Sequence, residues 1–406
     1  MCVLILIALI VIIVRQKSNT GVCDTTCQNN IAKMVIKSMK AKSDDTPTIS
    51  TGKTISDSIM GNNDWILILK LGTGGDNCTV NGKIHSCKYL TATSSNPTFT
   101  LSSDTLDTSK DSSVYKFVNA YTDKDNQSMM WNDQGDKNCG SVPNISAHEK
   151  GGIVLNKEGT NGVWMESSNP HWGFHKGFTY GMKNKTPGIQ TELMQHILLV
   201  RLKSKDDVQN MLDVMANSNL CVQDGSINGF TPWTTETTQT GKNPTVKSLT
   251  SGLQVVGKAA GDNKTDIWDW LRTKYCDNGM TTLSYCSPNC PIGKGESKES
   301  INSINDLLNM RENAYETVAK GKKICTSDAC KNAKSVLSTS CGLKFDPFSA
   351  NHSKVGICLG NNVVIVGGNN HSIRSQGPRG GMFAVIDNKT LSDQLKCLFK
   401  QNDLDA

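Results

Sequence analysis

The sequence has no arginine-rich tail and no long run of basic residues, which excludes an electrostatic arm of the kind that wraps nucleic acid. It has no standard zinc-finger spacing either. The close cysteine pairs, "CSPNC" at Cys286–Cys290 and "CTSDAC" at Cys325–Cys330, have no histidine near them in sequence. Its most apolar stretch, "MCVLILIALIVIIV", stops at Val14, short of the roughly 20 residues a membrane span needs. Aromatics are few, at 6% of 406 residues, and the cluster in "DIWDWLRTKY" has the spacing of a helix core rather than of a base-stacking platform.

The apolar start, followed by Arg15 and Lys17, has the length of a secretory signal h-region, with a signal anchor as the rival reading. Cysteine usage agrees with export. Of 15 cysteines, loss of Cys2 with the signal leaves an even set from Cys23 to Cys397, suited to disulfides in an oxidising compartment. Glycosylation sequons begin at Asn77, Asn126, Asn144, Asn184, Asn263, Asn351, Asn370 and Asn388, as in a glycoprotein of the secretory or lysosomal route. The formal charge of +6 permits a polyanionic partner and grows in acid as the 7 histidines protonate.

Residues 1–20 read as the signal peptide or anchor and 21–63 as a polar, variable leader with a short helix at "NIAKMVIKSMKAK". Order begins at "DWILILKL", where Trp65–Leu71 has the composition of a buried strand. In "HEKGGIVLNKEGTNGVWMES" an apolar run, a Gly/Asn turn and a second apolar run from Val163 predict a hairpin. The apolar segment "LMQHILLVRL" follows. "SKDDVQNMLDVMAN" predicts a helix capped by Ser204, with Asp206 and Asp207 in its first turn and Val208, Met211, Leu212 and Met215 on one face. "DIWDWLRTKY" and "SINDLLNMRENAYETVAK" also read as helices.

The second half then repeats the first. "NHSKVGICLGNNVVIVGGNN" again runs His-x-Lys, apolar strand, Gly/Asn turn, apolar strand and asparagine; the units start at His148 and His352 and close at Asn169 and Asn370. A single His-x-Lys means little, but two opening the same unit make a pattern. Residues i and i+2 of an extended segment point to one side, so His148 projects with Lys150 and His352 with Lys354. If the halves pack about a pseudo-twofold axis, the four side chains meet in one pocket. Two imidazoles and two ammonium groups suit a phosphodiester: one ring attacks phosphorus, the other protonates the leaving oxygen, and the lysines neutralise the non-bridging oxygens. That chemistry calls for no metal and no other cofactor.

At these motifs the chain resembles the deoxyribonuclease II family, acid endonucleases that belong with the phospholipase D superfamily. The resemblance runs through "DWILILKL", "KYL" at Lys88, "WNDQ" at Trp131, "HEKGGIVLNKEG" with "VWMESSNP", "MQHILLV" at Met194 and "NHSKVGIC", "VGGNN" and "SQGPRGG" up to Gly381. It implies an α/β, phospholipase D-like fold of two pseudo-repeated halves, 64–240 and 241–406, with central sheets flanked by helices and fastened by disulfides. It also implies His148, Lys150, His352 and Lys354 as catalytic, with Asn370, Asn169, Gln195 and Arg379 as substrate-binding. The expected activity is that of a secreted or lysosomal endonuclease. It cleaves DNA in acid without metal through a phosphohistidine, leaves 3'-phosphate ends, and holds backbone phosphates with little sequence preference. The chain departs from the family's pattern at Asn351, where the usual residue is Asp, at Val355, where it is Trp, and in "NNHSIRSQ". The departures around Asn351 and Val355 carry a second reading, a catalytically weak secreted protein that binds nucleic acid or host protein, and the superfamily's chemistry carries a third, a phospholipid-cleaving phosphodiesterase.

Overall fold

The structure is a computed structural model and describes residues 53–72, 79–80, 83–84, 87–106, 109–133, 147–169, 194–231, 243–262, 265, 267–277, 280–284, 352–369 and 379–398. The signal segment, the leader helix, the helix expected at "SINDLLNMRENAYETVAK", both close cysteine pairs and Asn370 lie outside the described residues.

Helix α1 (Ile55–Met60) lies in the stretch whose composition reads as leader. Thr54 caps it by a reciprocal box: its hydroxyl receives the Asp57 N–H and the Asp57 carboxylate receives its own N–H. Ile55, Ile59 and Met60 are buried against the sheet that follows. Arg201 pairs with Asp57 at 2.9 Å and ties the helix to that sheet. Among the described residues four further helices are α2 (Ser113–Thr122), α3 (Lys205–Ser218), α4 (Ile267–Tyr275) and α5 (Lys389–Leu398). Ser204 caps α3 as expected, with Val208, Met211, Leu212 and Met215 on its buried face.

The strands form two mixed-connectivity, antiparallel sheets, so the fold is α/β in content. The first contains β1 (Trp65–Lys70), β4 (Lys88–Thr93), β5 (Thr100–Thr105), β6 (Gln127–Asn132), β7 (Lys150–Leu155), β8 (Gly162–Ser167), β9 (Gln195–Leu202) and β10 (Val222–Ser226). Its order is β10-β6-β7-β8-β9-β1-β4-β5. β2 (Thr79–Val80) and β3 (Lys83–Ile84) make a separate ribbon. The second sheet contains β11 (Thr245–Ser248), β12 (Gln254–Lys258), β13 (Met280–Ser284), β14 (Lys354–Cys358), β15 (Val363–Gly367) and β16 (Gly381–Asp387), in the order β11-β12-β16-β15-β14-β13.

The run β6-β7-β8-β9-β1 in one sheet has the same order as β13-β14-β15-β16-β12 in the other. Registers agree as well. Gly151 stands opposite Glu166 where Val355 stands opposite Val366, and Lys70 opposite Gln195 where Lys258 stands opposite Gly381. Each run also has a helix directly before the strand that opens it, α2 before β6 and α4 before β13, and another directly after a matching strand, α3 after β9 and α5 after β16.

Alternation along the strands divides the apolar side chains between two faces. Leu67, Leu69, Trp131, Ile153, Trp164 and Leu198 of the first sheet join Val355, Ile357, Val364, Val366 and Met382 of the second, with α3 and α5, in one shared cluster. The other face of the first sheet packs on α1 and α2, and that of the second on α4. Cys276 at the end of α4 and Cys358 at the end of β14 form a disulfide that fastens this last helix to its sheet. Cys87, Cys221 and Cys397 are also disulfide-bonded.

Two backbone approaches fix glycines near the strand ends. Gly152, four residues after His148, lies under the Phe117 ring of α2, and Gly356, four after His352, under the Trp268 ring of α4. Gly380 is tighter still, because a Cβ there would collide with the carbonyl oxygen of Ser218 at the end of α3. Since that oxygen is backbone and cannot swing away, Gly380→Ala is expected to destabilise the fold by about 1–3 kcal/mol, read as a lower urea midpoint.

Candidate functional site

His148 precedes β7 and His352 precedes β14, so both motifs sit where a strand enters its sheet. Each imidazole crosses to the hairpin of the other sheet. His148 Nδ1 is 2.7 Å from the carbonyl oxygen of Gly368, just past β15; His352 Nδ1 is 2.8 Å from that of Ser168, just past β8. A carbonyl oxygen only accepts, so Nδ1 carries the proton in both neutral rings and the lone pair lies on Nε2. The backbones are tied in the same reciprocal way: His148 N–H donates to Gly380 O at 3.0 Å and His352 N–H to Met194 O at 2.7 Å.

The lysines follow on the same side, as the two-residue period requires. Lys150 Nζ approaches Asp133 Oδ1 at 2.5 Å, an ion pair without hydrogen-bond alignment, and His148 Nε2 lies 3.9 Å from Asp133 Oδ2. Arg379 donates to Asp133 Oδ2 at 2.6 Å. Lys354 Nζ donates to the carbonyl of His352 at 2.7 Å and stands 3.1 Å from His352 Nδ1; with that nitrogen's proton committed to Ser168, the second contact is a close approach of two donors.

All four groups are buried, and their charges act on one another across the two motifs. Burial holds both imidazoles well below the ordinary histidine range, and the lysines push further: Lys150 and Lys354 act on both rings, while the Asp133 carboxylate pulls His148 partly back. Lys354 is also held well below its usual value, first by burial and then by Lys150, against the pull of Glu166, Asp133 and Glu149. Burial alone would raise the Asp133 carboxyl, but Lys150, His148 and Arg379 together hold it well below the usual carboxylate range.

The other expected residues divide. Arg379 joins the cluster through Asp133. Asn169 closes the loop after β8, buried, with its N–H on Ser167 Oγ at 3.0 Å and its Oδ1 without a partner among the described residues. Gln195 opens β9 opposite Lys70, fully buried, with neither amide atom partnered among the described residues. Lys70 itself is pushed down to about 7 by burial. Asn370 lies outside the described residues; the residue after the Gly368 carbonyl, in the place Asn169 takes after Ser168, is the buried Asn369.

Asp133, Glu149 and Glu166 were not expected here, whereas His196, like Gln195, lies in the segment "MQHILLV" that carries the family resemblance. Each of the three acids had a signal, namely its place in or beside an otherwise apolar strand segment: "MMWND", "HEKGGIVL" and "VWMES". A polar group in a buried run is bonded to something in the fold, although sequence does not say to what.

In a comparison with family profiles, residues 61–277, more than half of the chain, match Deoxyribonuclease II. The chain belongs to the deoxyribonuclease II family. No curated protein matches it. The deoxyribonuclease II match contains the first motif, Asp133, Asn169, Gln195 and His196; the second motif lies beyond it and is tied to it by the reciprocal hydrogen bonds above.

Proposed function

We propose that this chain is an acid endonuclease that hydrolyses DNA phosphodiesters without a metal ion, is secreted or lysosomal, and consists of two phospholipase D-like halves. The observation that carries this reading is the exchange of ring hydrogen bonds, His148 to Gly368 and His352 to Ser168, which gives both imidazoles an Nε2 lone pair within one shared cluster of charge. The matching strand orders and registers support the two-halves reading.

In the first step Nε2 of one histidine attacks phosphorus, the bond from phosphorus to the 5' oxygen breaks, and the partner imidazolium gives its proton to that oxygen. The DNA then hangs from the histidine through a phosphoramidate that keeps the 3' oxygen. In the second step the partner ring, now neutral, takes a proton from water as the water attacks phosphorus. The nitrogen–phosphorus bond breaks and a 3'-phosphate leaves. Lys150 and Lys354 meet the non-bridging oxygens, with Asp133 anchoring the first of them. Contacts of this kind read phosphate rather than base, so sequence preference is small.

The productive state holds one proton on the pair, and its apparent constants belong to both rings. Burial and the two lysines place the uptake of that proton below the ordinary value of about 6.5, while bound phosphate raises it again. The rate of plasmid nicking against pH is therefore expected to be bell-shaped with an acid maximum, falling on the alkaline side as the acid loses its proton and on the acid side as the nucleophile gains one. A rate that climbs steadily into alkali would overturn the two-histidine mechanism.

A further inference from the structure

The near-symmetry of the two sheets isolates what is particular to one of them. At Glu166 of β8 and His196 of β9 the first sheet carries a buried polar pair, whereas the corresponding registers of the second hold Val366 and Met382. Glu166 and His196 are diagonal neighbours on one face, since Ser167 stands opposite Ile197 and Glu166 opposite Leu198. A buried acid and histidine in place of two apolar side chains add nothing to packing, so their reason lies in what they bond.

His196 Nδ1 lies 3.0 Å from the backbone N–H of Lys354, which can only donate, so Nδ1 is the acceptor and the ring's proton is on Nε2. That proton goes to Glu166 Oε2 at 2.6 Å. The tautomer is thus opposite to that of His148 and His352. Lys354 is the first residue of β14, and the pairing with β15 begins one residue later at Val355, so its N–H finds a side-chain acceptor on the other sheet. The backbone of His196 serves the same motif. Its N–H donates to Ser168 Oγ at 3.0 Å and its carbonyl receives the Ser168 N–H at 3.0 Å, and Ser168 is the residue whose carbonyl holds His352.

We propose that Glu166 and His196 form a positioning dyad for the second motif: Glu166 orients the His196 ring, and His196 holds Lys354 through its amide and His352 through Ser168. The inference rests on reading His352 and Lys354 as the second catalytic pair. Neither member of the dyad touches the reacting atoms. Burial keeps the His196 ring neutral well below the usual imidazole range, with Lys354 and Lys150 adding to the effect, so the acceptor survives in the acid where the proposed reaction runs.

Two substitutions separate the two bonds. In His196→Asn the amide oxygen takes the place of Nδ1 and retains the acceptor for Lys354, while the link to Glu166 is lost. In His196→Gln the amide takes the place of Nε2 and retains the link to Glu166, while the acceptor for Lys354 is lost. The first readout is hydrogen exchange of the Lys354 amide by NMR in the full chain, which needs no catalysis: exchange is expected to quicken in His196→Gln and stay near wild type in His196→Asn. The second is ring nitrogen shifts, expected to show the Nε2–H form for His196 and the Nδ1–H form for His148 and His352. On plasmid DNA, kcat is expected to fall about 10–100-fold in His196→Gln with KM nearly unchanged, and much less in His196→Asn. Equal exchange at Lys354 in both variants, or an Nδ1–H form of His196, would overturn the dyad. A wild-type chain that leaves DNA intact would instead overturn the proposed activity, with the exchange and tautomer results still deciding the dyad as a structural device.

Discussion

Replacing either His148 or His352 with alanine is expected to lower the rate of DNA cleavage by about a thousandfold or more, and the double variant is expected to be little worse than either single one. Nucleophile and general acid act in the same step, so the loss of one leaves the other nothing to complete and the effects do not add. Each ring also makes one cross-sheet hydrogen bond, to Gly368 or to Ser168, whose removal costs about 1 kcal/mol of stability. A urea midpoint close to wild type therefore shows that the loss is chemical rather than a loss of fold. Either single variant cleaving at near-normal rate would remove that histidine from the mechanism.

Removing Asp133 is expected to damage stability and activity together. The carboxylate is buried between Lys150 at 2.5 Å and Arg379 at 2.6 Å, and Asp133→Ala leaves the buried Lys150 ammonium without its ion-pair partner. Breaking such a pair from one side costs about 3–5 kcal/mol, more than most point changes. Asp133→Asn retains the shape and loses the charge, so it is expected to fold better than Asp133→Ala and still cleave poorly. The pH dependence has a definite sign. The folded carboxyl lies below its unfolded value, so its contribution is fully present above about pH 4 and is lost as pH falls further toward the folded constant. Wild-type and Asp133→Asn unfolding curves should therefore lie far apart at neutral pH and approach one another below about pH 4. Removing the Asp133 charge also removes the group that pulls His148 upward, so the activity maximum of Asp133→Asn is expected to move to lower pH.

How much of this could be read in the sequence depended on the range of the interaction. β1 was visible because both faces of "WILILK" are buried, which makes an unbroken apolar run, and the β7–β8 hairpin because a Gly/Asn turn separates two such runs. The cap at Ser204 is a local bond to the Asp207 N–H and shows in the spacing alone. The capping box at Thr54 had the same local signature, but the polar composition around it masked the helix. Duplication of the His-x-Lys units was legible, and it pointed to the four residues that the fold brings together.

The carboxylates were not legible. Glu149 Oε1 receives the Met382 N–H at 2.5 Å, 233 residues away in sequence, and the Asp133 contact with Arg379 spans 246. Spacing carries no information about such partners. The same limit explains the asparagine after the second hairpin: counting along the chain points to Asn370, whereas position relative to the carbonyl that holds His148 points to Asn369. Glu166 shows what the environment does to a side chain that composition would treat as an ordinary acid, since burial pushes its carboxyl up to about 8 against the pull of Lys354 and Lys150.

Digestion of supercoiled plasmid at about pH 5 in excess EDTA, with the ends examined and phospholipid vesicles treated in parallel, tests the two-histidine account most directly. The account predicts nicking and linearisation by the wild-type chain, 3'-phosphate ends that a polymerase extends only after phosphatase treatment, no cleavage by His352→Ala, and intact lipid. Cleavage that stops in EDTA and returns with magnesium, or ends that carry a free 3'-hydroxyl, would contradict it and favour a metal-assisted nuclease.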